Sequence, residues 1–593
     1  MITVGDLIEK ERARVGVSRE KLASGICTQQ ALYRVGVEDS VTDVLTFEIL
    51  FERMGQSVDS LEYILSQEEY DKILMRDEIE DRIMCGNAVD AKSMLDKYKS
   101  LYGELEGVEK MYYYRTLAAI ELYCGDNILE YKEGLQYISK AIKLTLNGVN
   151  RDNYTEYLYS TYEVENILLY IKALCMTGKT KQGVDLLIEC FDYLSEKWND
   201  ETFKVRVLPK CAYLMVEYGE NIIENETLVT YLEKGIDLLR TNSIIYMLKP
   251  LIEKLIESYK KVGDRDKVDY WMLYFNLLYE LYNEFDNGRR QDALFYRWTT
   301  ASYFLESEVI RDERMAQGMT QMELADGIYK NIASVSNIEK GKSSPNKNKY
   351  KAIVEKLSID KERISGFVIA DSLKRIRQIA EIKEMTARGE TVKVLELTEE
   401  RSDQSEKEKR LFKAYRDIVQ YEGVTDKNIK LEAMKENVKG IYDLERKEYI
   451  RRPFQAEMDI ITAYLANLRQ IDEANTDIIA DKLLKLYKDT KVDLRYCYRQ
   501  YTSVYLLGIG KGKKGKINNF NKAERDFIQY CVDTGKGSAL VGLNWWTGYY
   551  DSVGESSRKE YLYKGFMYAK LYKYKYAHSL ESYFYRLYPP DGV

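Results

Sequence analysis

The run TQMELADGIYKNIASVSNIEKGKSSP, residues 320–345, decides how this chain is read. Thr320 followed by Glu323 forms a capping box: a Thr N-cap and a Glu at the third helical position satisfy two backbone donors that a helix start leaves open. The pattern predicts a short helix over 321–327, with Gly327 allowing the tight turn that follows it. A second helix is predicted over 331–339, then a basic loop ending at Pro345. Upstream, 307–316 reads as a helix stopped at Gln317 and Gly318; downstream, 349–357 reads as a fourth. Two helices joined by a tight turn inside a small helical head is the helix-turn-helix pattern.

Charge singles out the same stretch. Residues 330–351 hold six lysines and one acid, Glu339, for a net of +5, in a chain whose net charge is −7. A globally basic surface for nucleic acid is therefore absent, and any such surface is local.

The motif resembles the helix-turn-helix of the Cro/lambda-repressor (xenobiotic response element) family. That pattern has Gln at the start of helix two, Leu-Ala within it, and Ser-x-x-Glu-x-Gly-x-x-x-Pro after helix three; here these fall on Gln321, Leu324, Ala325, Ser336, Glu339, Gly341 and Pro345. The resemblance implies that the start of helix three enters the major groove and that Gln321 touches phosphate. On that basis Lys330, Asn331, Ser334 and Asn337 are the expected base or backbone readers. Lys330, Lys340 and Lys342 are expected to neutralise phosphates of double-stranded DNA.

The chain also echoes itself. Leu22-Ala23-Ser24-Gly25-Ile26 matches Leu324-Ala325-Asp326-Gly327-Ile328, and Gly16 matches Gly318 at the same spacing. Glu78-Ile79 and Gly86 match Glu381-Ile382 and Gly389; Val262-Gly263-Asp264 resembles Val553-Gly554-Glu555. These matches predict two tandem copies of one unit. The first head is degenerate: Arg19 stands where Gln is expected, and residues 27–49 carry one Arg against four acids, a net of −3. Gln29, Gln30 and Arg34 remain able to reach DNA; the alternative is a first head that packs or dimerises while the second reads DNA.

After each head, apolar residues recur at three- and four-residue spacing, as at Ile167, Leu168, Ile171, Leu174 and Cys175. Paired stretches such as 162–176 and 180–194, separated by Gly-containing turns, predict helical hairpins of tetratricopeptide-like type. No run of alternating strands stands out. The expected fold is all-α: a degenerate helix-turn-helix domain (1–66), a helical-repeat array (67–300), a helix-turn-helix domain (301–368) and a second array (369–593).

A DNA-binding head followed by such an array resembles the peptide-sensing quorum regulators of Gram-positive bacteria (the Rap, NprR, PlcR, PrgX and Rgg groups). The resemblance implies a short signalling peptide on the array and a regulator working as a dimer. Tyr162, Glu165 and Asn166 in the first array, with Glu457 and Asn467 in the second, are the candidates to hold peptide backbone. Fusion of two copies points to a pseudo-dimer within one chain, with a homodimer as the alternative.

Other functions find little purchase. One histidine, His578, leaves no multi-histidine metal site, and a Ser-His-Asp triad or Cys-His pair would have to use it. The eight cysteines have no CxxC pair and read as reduced thiols of a cytoplasmic protein. No apolar run of membrane-spanning length and no secretory leader stand out. The GxxxxGK at 510–516 has Ile517 in place of Ser or Thr and follows a helical pattern, which fits a basic hairpin loop better than a phosphate loop. The sequence thus predicts a transcription regulator without cofactor or catalytic site. The rival reading is an interaction scaffold or anti-regulator whose heads no longer bind DNA.

Overall fold

The computed structural model describes residues 4–357 except 39–42, 59–60, 199, 286–287 and 299–300. Of 358–389 it describes 378, 381–382 and 385, and beyond them 390–589 except 403–405, 422–423, 440, 445–447, 450–451, 509–516 and 550–553. The basic loop at 510–516 and the echoes at Gly389 and Val553 lie outside the described residues.

The helices follow the sequence signals at their ends. Ser160 and Glu163 make a reciprocal capping box, and the helix they start buries Val164, Leu168, Ile171 and Leu174 before Thr177 ends it. Further along, Leu251, Ile252, Leu255, Ile256 and Tyr259 bury one face of another helix, which stops at Gly263.

The first head comprises α1 (Val4–Val15), α2 (Arg19–Ala23), α3 (Gln29–Glu38) and α4 (Val44–Arg53), followed by strand β1 (Glu62–Leu65). The first array runs through α5 (Gln67–Met84), α6 (Ala88–Tyr102), α7 (Gly107–Cys124), α8 (Ile128–Thr145) and α9 (Thr161–Met176). It continues with α10 (Thr180–Lys197), α11 (Glu201–Gly219), α12 (Asn225–Thr241), α13 (Leu248–Val262) and α14 (Arg265–Glu284). Strand β2 (Ser302–Leu305) leads into the second head: α15 (Glu306–Ala316), α16 (Gln321–Ala325), α17 (Ile332–Glu339) and α18 (Lys347–Lys356). The second array holds α19 (Thr391–Leu397), α20 (Glu406–Gln420), α21 (Lys427–Val438), a hairpin of β3 (Tyr442–Asp443) and β4 (Glu448–Tyr449), α22 (Gln455–Leu468) and α23 (Glu473–Asp489). It ends with α24 (Tyr498–Gly508), α25 (Ile517–Asp533), α26 (Ser538–Tyr549), α27 (Glu555–Leu571) and α28 (Ala577–Leu587). Among the described residues no helix is long and apolar enough to cross a membrane.

The fold is helical, with two additions that the sequence pattern does not announce. β1 and β2 pair in parallel, Glu62 opposite Ser302 through Leu65 opposite Leu305. β2 is buried along its whole length, so it lacks the alternation that marks a half-exposed strand. This ladder joins the two heads: β1 follows the first and β2 leads into the second. The β3–β4 hairpin has only two residue pairs.

The two heads are anchored differently. Leu7, Leu22, Ile26 and Leu32 of the first head belong to one continuous core with the arrays. The second head has a core of its own: Ile310, Leu324, Ala325, Val335, Ile338, Ile353, Val354 and Leu357. The first head therefore does not pack as a separate body. Its anchor is Arg53, whose guanidinium donates to Glu163 Oε2 at 3.0 Å, Thr145 O at 2.9 Å and Ser24 O at 2.7 Å. A side chain at Gly25 would run into the Thr145 carbonyl, so the turn after α2 sits directly on the end of α8.

Two turns far apart in the chain also meet. The turn between α12 and α13 lies against the turn between α25 and α26: Ile244 bridges Lys536 in antiparallel fashion. Ile245 N donates to Gly535 O at 2.9 Å, and Gly537 N to Ser243 O at 2.8 Å. Alongside, α14 packs on α27.

Candidate nucleic-acid interface

The second head is built as its sequence predicts. Thr320 N donates to Glu323 Oε2 at 2.7 Å and Glu323 N to Thr320 Oγ1 at 3.2 Å, completing the capping box that starts α16. Gly327 takes φ +75° in the turn before α17, a left-handed conformation that favours glycine. Behind the turn, Glu339 is buried and receives Arg314 Nε at 2.5 Å and Gln321 Nε2 at 2.6 Å. Arg314 Nη1 also donates to Met319 O at 2.6 Å. The Gln-x-x-Leu-Ala and Ser-x-x-Glu portions of the motif therefore meet in one half-buried polar knot that fixes α15, α16 and α17 together. Gln321 is half-buried with its amide turned inward to Glu339, so it positions the motif besides any contact with phosphate.

The outer face of α17 is open. Lys330, Asn331, Asn337, Lys340 and Lys342 are exposed. Asn331 is also the N-cap: its Oδ1 accepts from Ser334 N at 3.1 Å and Ser334 Oγ at 3.2 Å. Ser334 is thereby half-buried and tied to the cap. Ile332 and Ala333 are exposed beside them, and Ile332 shows 48% of its surface. Sequence reasoning passed over this apolar pair because it sought donors and acceptors. Small apolar groups on a recognition helix suit thymine methyls.

The foot of this face is fixed to both arrays. Lys491 Nζ donates to Lys340 O at 3.0 Å, which leaves the Lys340 side chain exposed. A Cβ at Gly341 would lie 2.8 Å from Gln67 Oε1 of α5. Glu308 of α15 accepts from Thr490 Oγ1 at 2.6 Å and Lys491 N at 2.8 Å.

The first head repeats the scaffold with altered chemistry. Gly16 and Gly25 take φ of +71° and +72°, matching Gly318 at +65° and Gly327 at +75°. Arg12 Nη1 donates to Val17 O at 2.7 Å, as Arg314 does to Met319 O. The acid of the knot moves: Glu9 of α1 receives both Arg12 and Arg19, and Arg19 Nη2 lies 2.8 Å from it. Burial would raise Glu9's carboxyl, but Arg19 and Arg12 together hold it below its ordinary value. Gln29, Gln30 and Arg34 are exposed on α3.

Of the five residues expected to hold a peptide, Glu165, Asn166 and Glu457 are buried, and Tyr162 and Asn467 are half-buried. Glu165 is fully buried and receives Lys210 Nζ at 2.6 Å, Arg115 Nη2 at 2.9 Å and Arg297 Nη1 at 3.2 Å. Tyr162 lies beneath the Arg297 guanidinium, 3.5 Å from the ring centre, and faces a cavity of about 100 Å³. Asn166 is buried, with its Nδ2 on Met111 Sδ at 3.2 Å. Glu457 is buried, accepting from Phe454 N at 3.0 Å at the start of α22, and the half-buried Asn467 donates to Ala463 O at 2.7 Å. Arg297 ties this interior to the first head, since its Nη2 donates to Glu52 of α4 at 3.1 Å.

Comparison with known proteins supports the second head. A helix-turn-helix family model (HTH_3) matches residues 310–364. No curated protein sequence matches the chain. Among solved structures, Bacillus thuringiensis PlcR in complex with the peptide PapR7 and DNA is similar at 15% identity, covering 50% of this chain and 100% of that one, with a TM-score of 0.29.

Proposed function

We propose that the chain is a cytoplasmic transcription regulator of bacterial type that contacts double-stranded DNA through its second head. The observation that carries this reading is a helix-turn-helix with its own core and an open α17 face, bearing the basic stretch of an acidic chain. Asn337 and Lys330 read or flank bases, and Lys340 and Lys342 bind phosphate. The arrays are the sensing part, with a short peptide as ligand; stacked helical hairpins offer long concave faces for one. Selection of random duplexes on the full-length chain tests the DNA reading. A short motif should be enriched, and Asn337→Ala should relax one or two of its positions, by about 1–3 kcal/mol each. Absence of any enriched motif would sink the reading. Asn331→Ala is a poorer probe, because loss of the cap alone costs about 1 kcal/mol.

We further infer that the two halves descend from one duplicated unit and act as a pseudo-dimer. The meeting of like turns at Ile244 and Lys536 supports this, as do the matched glycines of the heads. Light scattering should give the single-chain mass, 69.4 kDa, in the absence of DNA. A tight homodimer would show that fusion did not replace dimerisation. The rival scaffold reading draws on the first head alone: its core merges with the arrays, and its recognition region carries net negative charge.

A further inference from the structure

Most joints in the first array are tight, such as 125–127 between α7 and α8 and 177–179 between α9 and α10. The connection 146–160 between α8 and α9 is much longer, and a groove of about 660 Å³ lies beneath it. Its walls are apolar and aromatic: Ile142 of α8, Leu146 and Tyr159 of the connection, Ile167 of α9, and Leu186 and Tyr193 of α10. The size falls in the range of sites that enclose a drug-sized ligand.

The connection holds its shape by bonding to itself. Asn153 Nδ2 donates to Gly148 O at 3.0 Å, Tyr157 OH to Asn147 O at 2.7 Å, and Tyr159 OH to Tyr154 O at 2.7 Å. Asn150 is engaged by Asp152 N and Gly148 O, and Arg151 by Glu189. These contacts occupy several of the polar groups that an extended peptide would need. A peptide backbone brings a donor and an acceptor at nearly every residue, and burying them unpaired against Ile and Leu walls is costly. A ligand whose polarity is confined to one end has no such difficulty. The mouth supplies a match for that end: among the described residues the side chains of Lys143 and Gln182, both exposed, show no hydrogen-bond or ion-pair partner.

We propose that this groove binds a small amphiphilic organic anion, its apolar body between α8, α9 and α10 and its carboxylate or sulfonate at Lys143. The ligand is distinct from the peptide proposed for the arrays, and the site stands whether or not the second head binds DNA.

The probes are 1-anilinonaphthalene-8-sulfonate and dodecanoate, titrated against the folded full-length chain. Dye fluorescence should saturate at one site per chain and fall as dodecanoate displaces it. Ile167→Trp, which fills the groove, should abolish both signals, and Lys143→Glu should weaken dodecanoate about fivefold. If Ile167→Trp disturbs folding, Gln182→Trp blocks the mouth from an exposed position and serves instead. Dye and dodecanoate binding that survives a folded groove-blocking variant overturns the site. Displacement of the dye by an apolar tetrapeptide with a free carboxylate, but not by dodecanoate, overturns the ligand class. No saturable binding of either probe overturns the proposal outright.

Discussion

With Lys330, Lys340 and Lys342 changed together to glutamate, the full-length chain should bind duplex DNA about 10³-fold more weakly at about 0.1 M salt. The slope of log affinity against log salt should fall by about three, one for each phosphate no longer neutralised. All three side chains are exposed, and the bonds at Lys340 and Lys342, from Lys491 to Lys340 O and from Lys340 N and Lys342 N to Ser336 O and Asn337 O, use their backbone. Thermal unfolding should therefore be unchanged, which separates a weakened interface from a damaged fold. The matching control is Gln29→Ala, Gln30→Ala and Arg34→Ala in the first head. If the second head is the reader, that triple variant should shift affinity by less than about threefold. The reverse outcome, with the salt slope kept in the lysine variant and abolished in the control, would move DNA recognition to the first head.

These two heads show what a sequence discloses. The second was legible because its determinants are local: a cap at Thr320, a turn glycine at Gly327, and Leu324, Val335 and Ile338 at helical spacing. Each rests on residues a few positions apart. The first head kept the same local signals, and they specify its helices. Its docking onto the array was not legible, because Arg53 meets Glu163 and the Thr145 carbonyl across about a hundred residues. The β1–β2 ladder was hidden for a related reason: its strands lie far apart in the chain, and β2, buried throughout, has no alternation. The peptide candidates show where residue type and spacing stop being informative. Tyr, Glu and Asn on one helix are the residues of a binding groove and equally those of a buried polar network. Periodicity placed Tyr162, Glu165 and Asn166 on α9. It could not reveal Arg115, Lys210 and Arg297 arriving from other elements to meet Glu165 and, in part, Tyr162.

Glu165→Gln separates those two roles, and it should be among the most destabilising single changes in the first array. The carboxylate faces three cations, Lys210, Arg115 and Arg297, and all four groups lie in the interior. Removing one partner from a buried ionic cluster typically costs about 3–5 kcal/mol, because the charges left behind have neither water nor a counter-ion. Lys210 and Arg115 would retain the Leu294 and Phe295 carbonyls, at 2.7 and 3.0 Å, which accept hydrogen bonds but carry no full charge. Arg297 would keep Glu52. Adding Lys210→Met to Glu165→Gln should recover part of the loss, since it removes one uncompensated cation, and the shortfall from additivity measures the coupling. The pH dependence has a definite sign. Burial alone would raise the Glu165 carboxyl, but Lys210, Arg297 and Arg115 together hold it below its ordinary 4.5. A group with a lowered folded value contributes stability above its unfolded value and loses that contribution as pH falls through the folded one. The gap in unfolding temperature between the native chain and Glu165→Gln should therefore be full at neutral pH and narrow below about 4.5. A Gln variant that melts like the native chain at pH 7 and is altered only in ligand affinity would return Glu165 to the binding role that its residue type and helical spacing suggest.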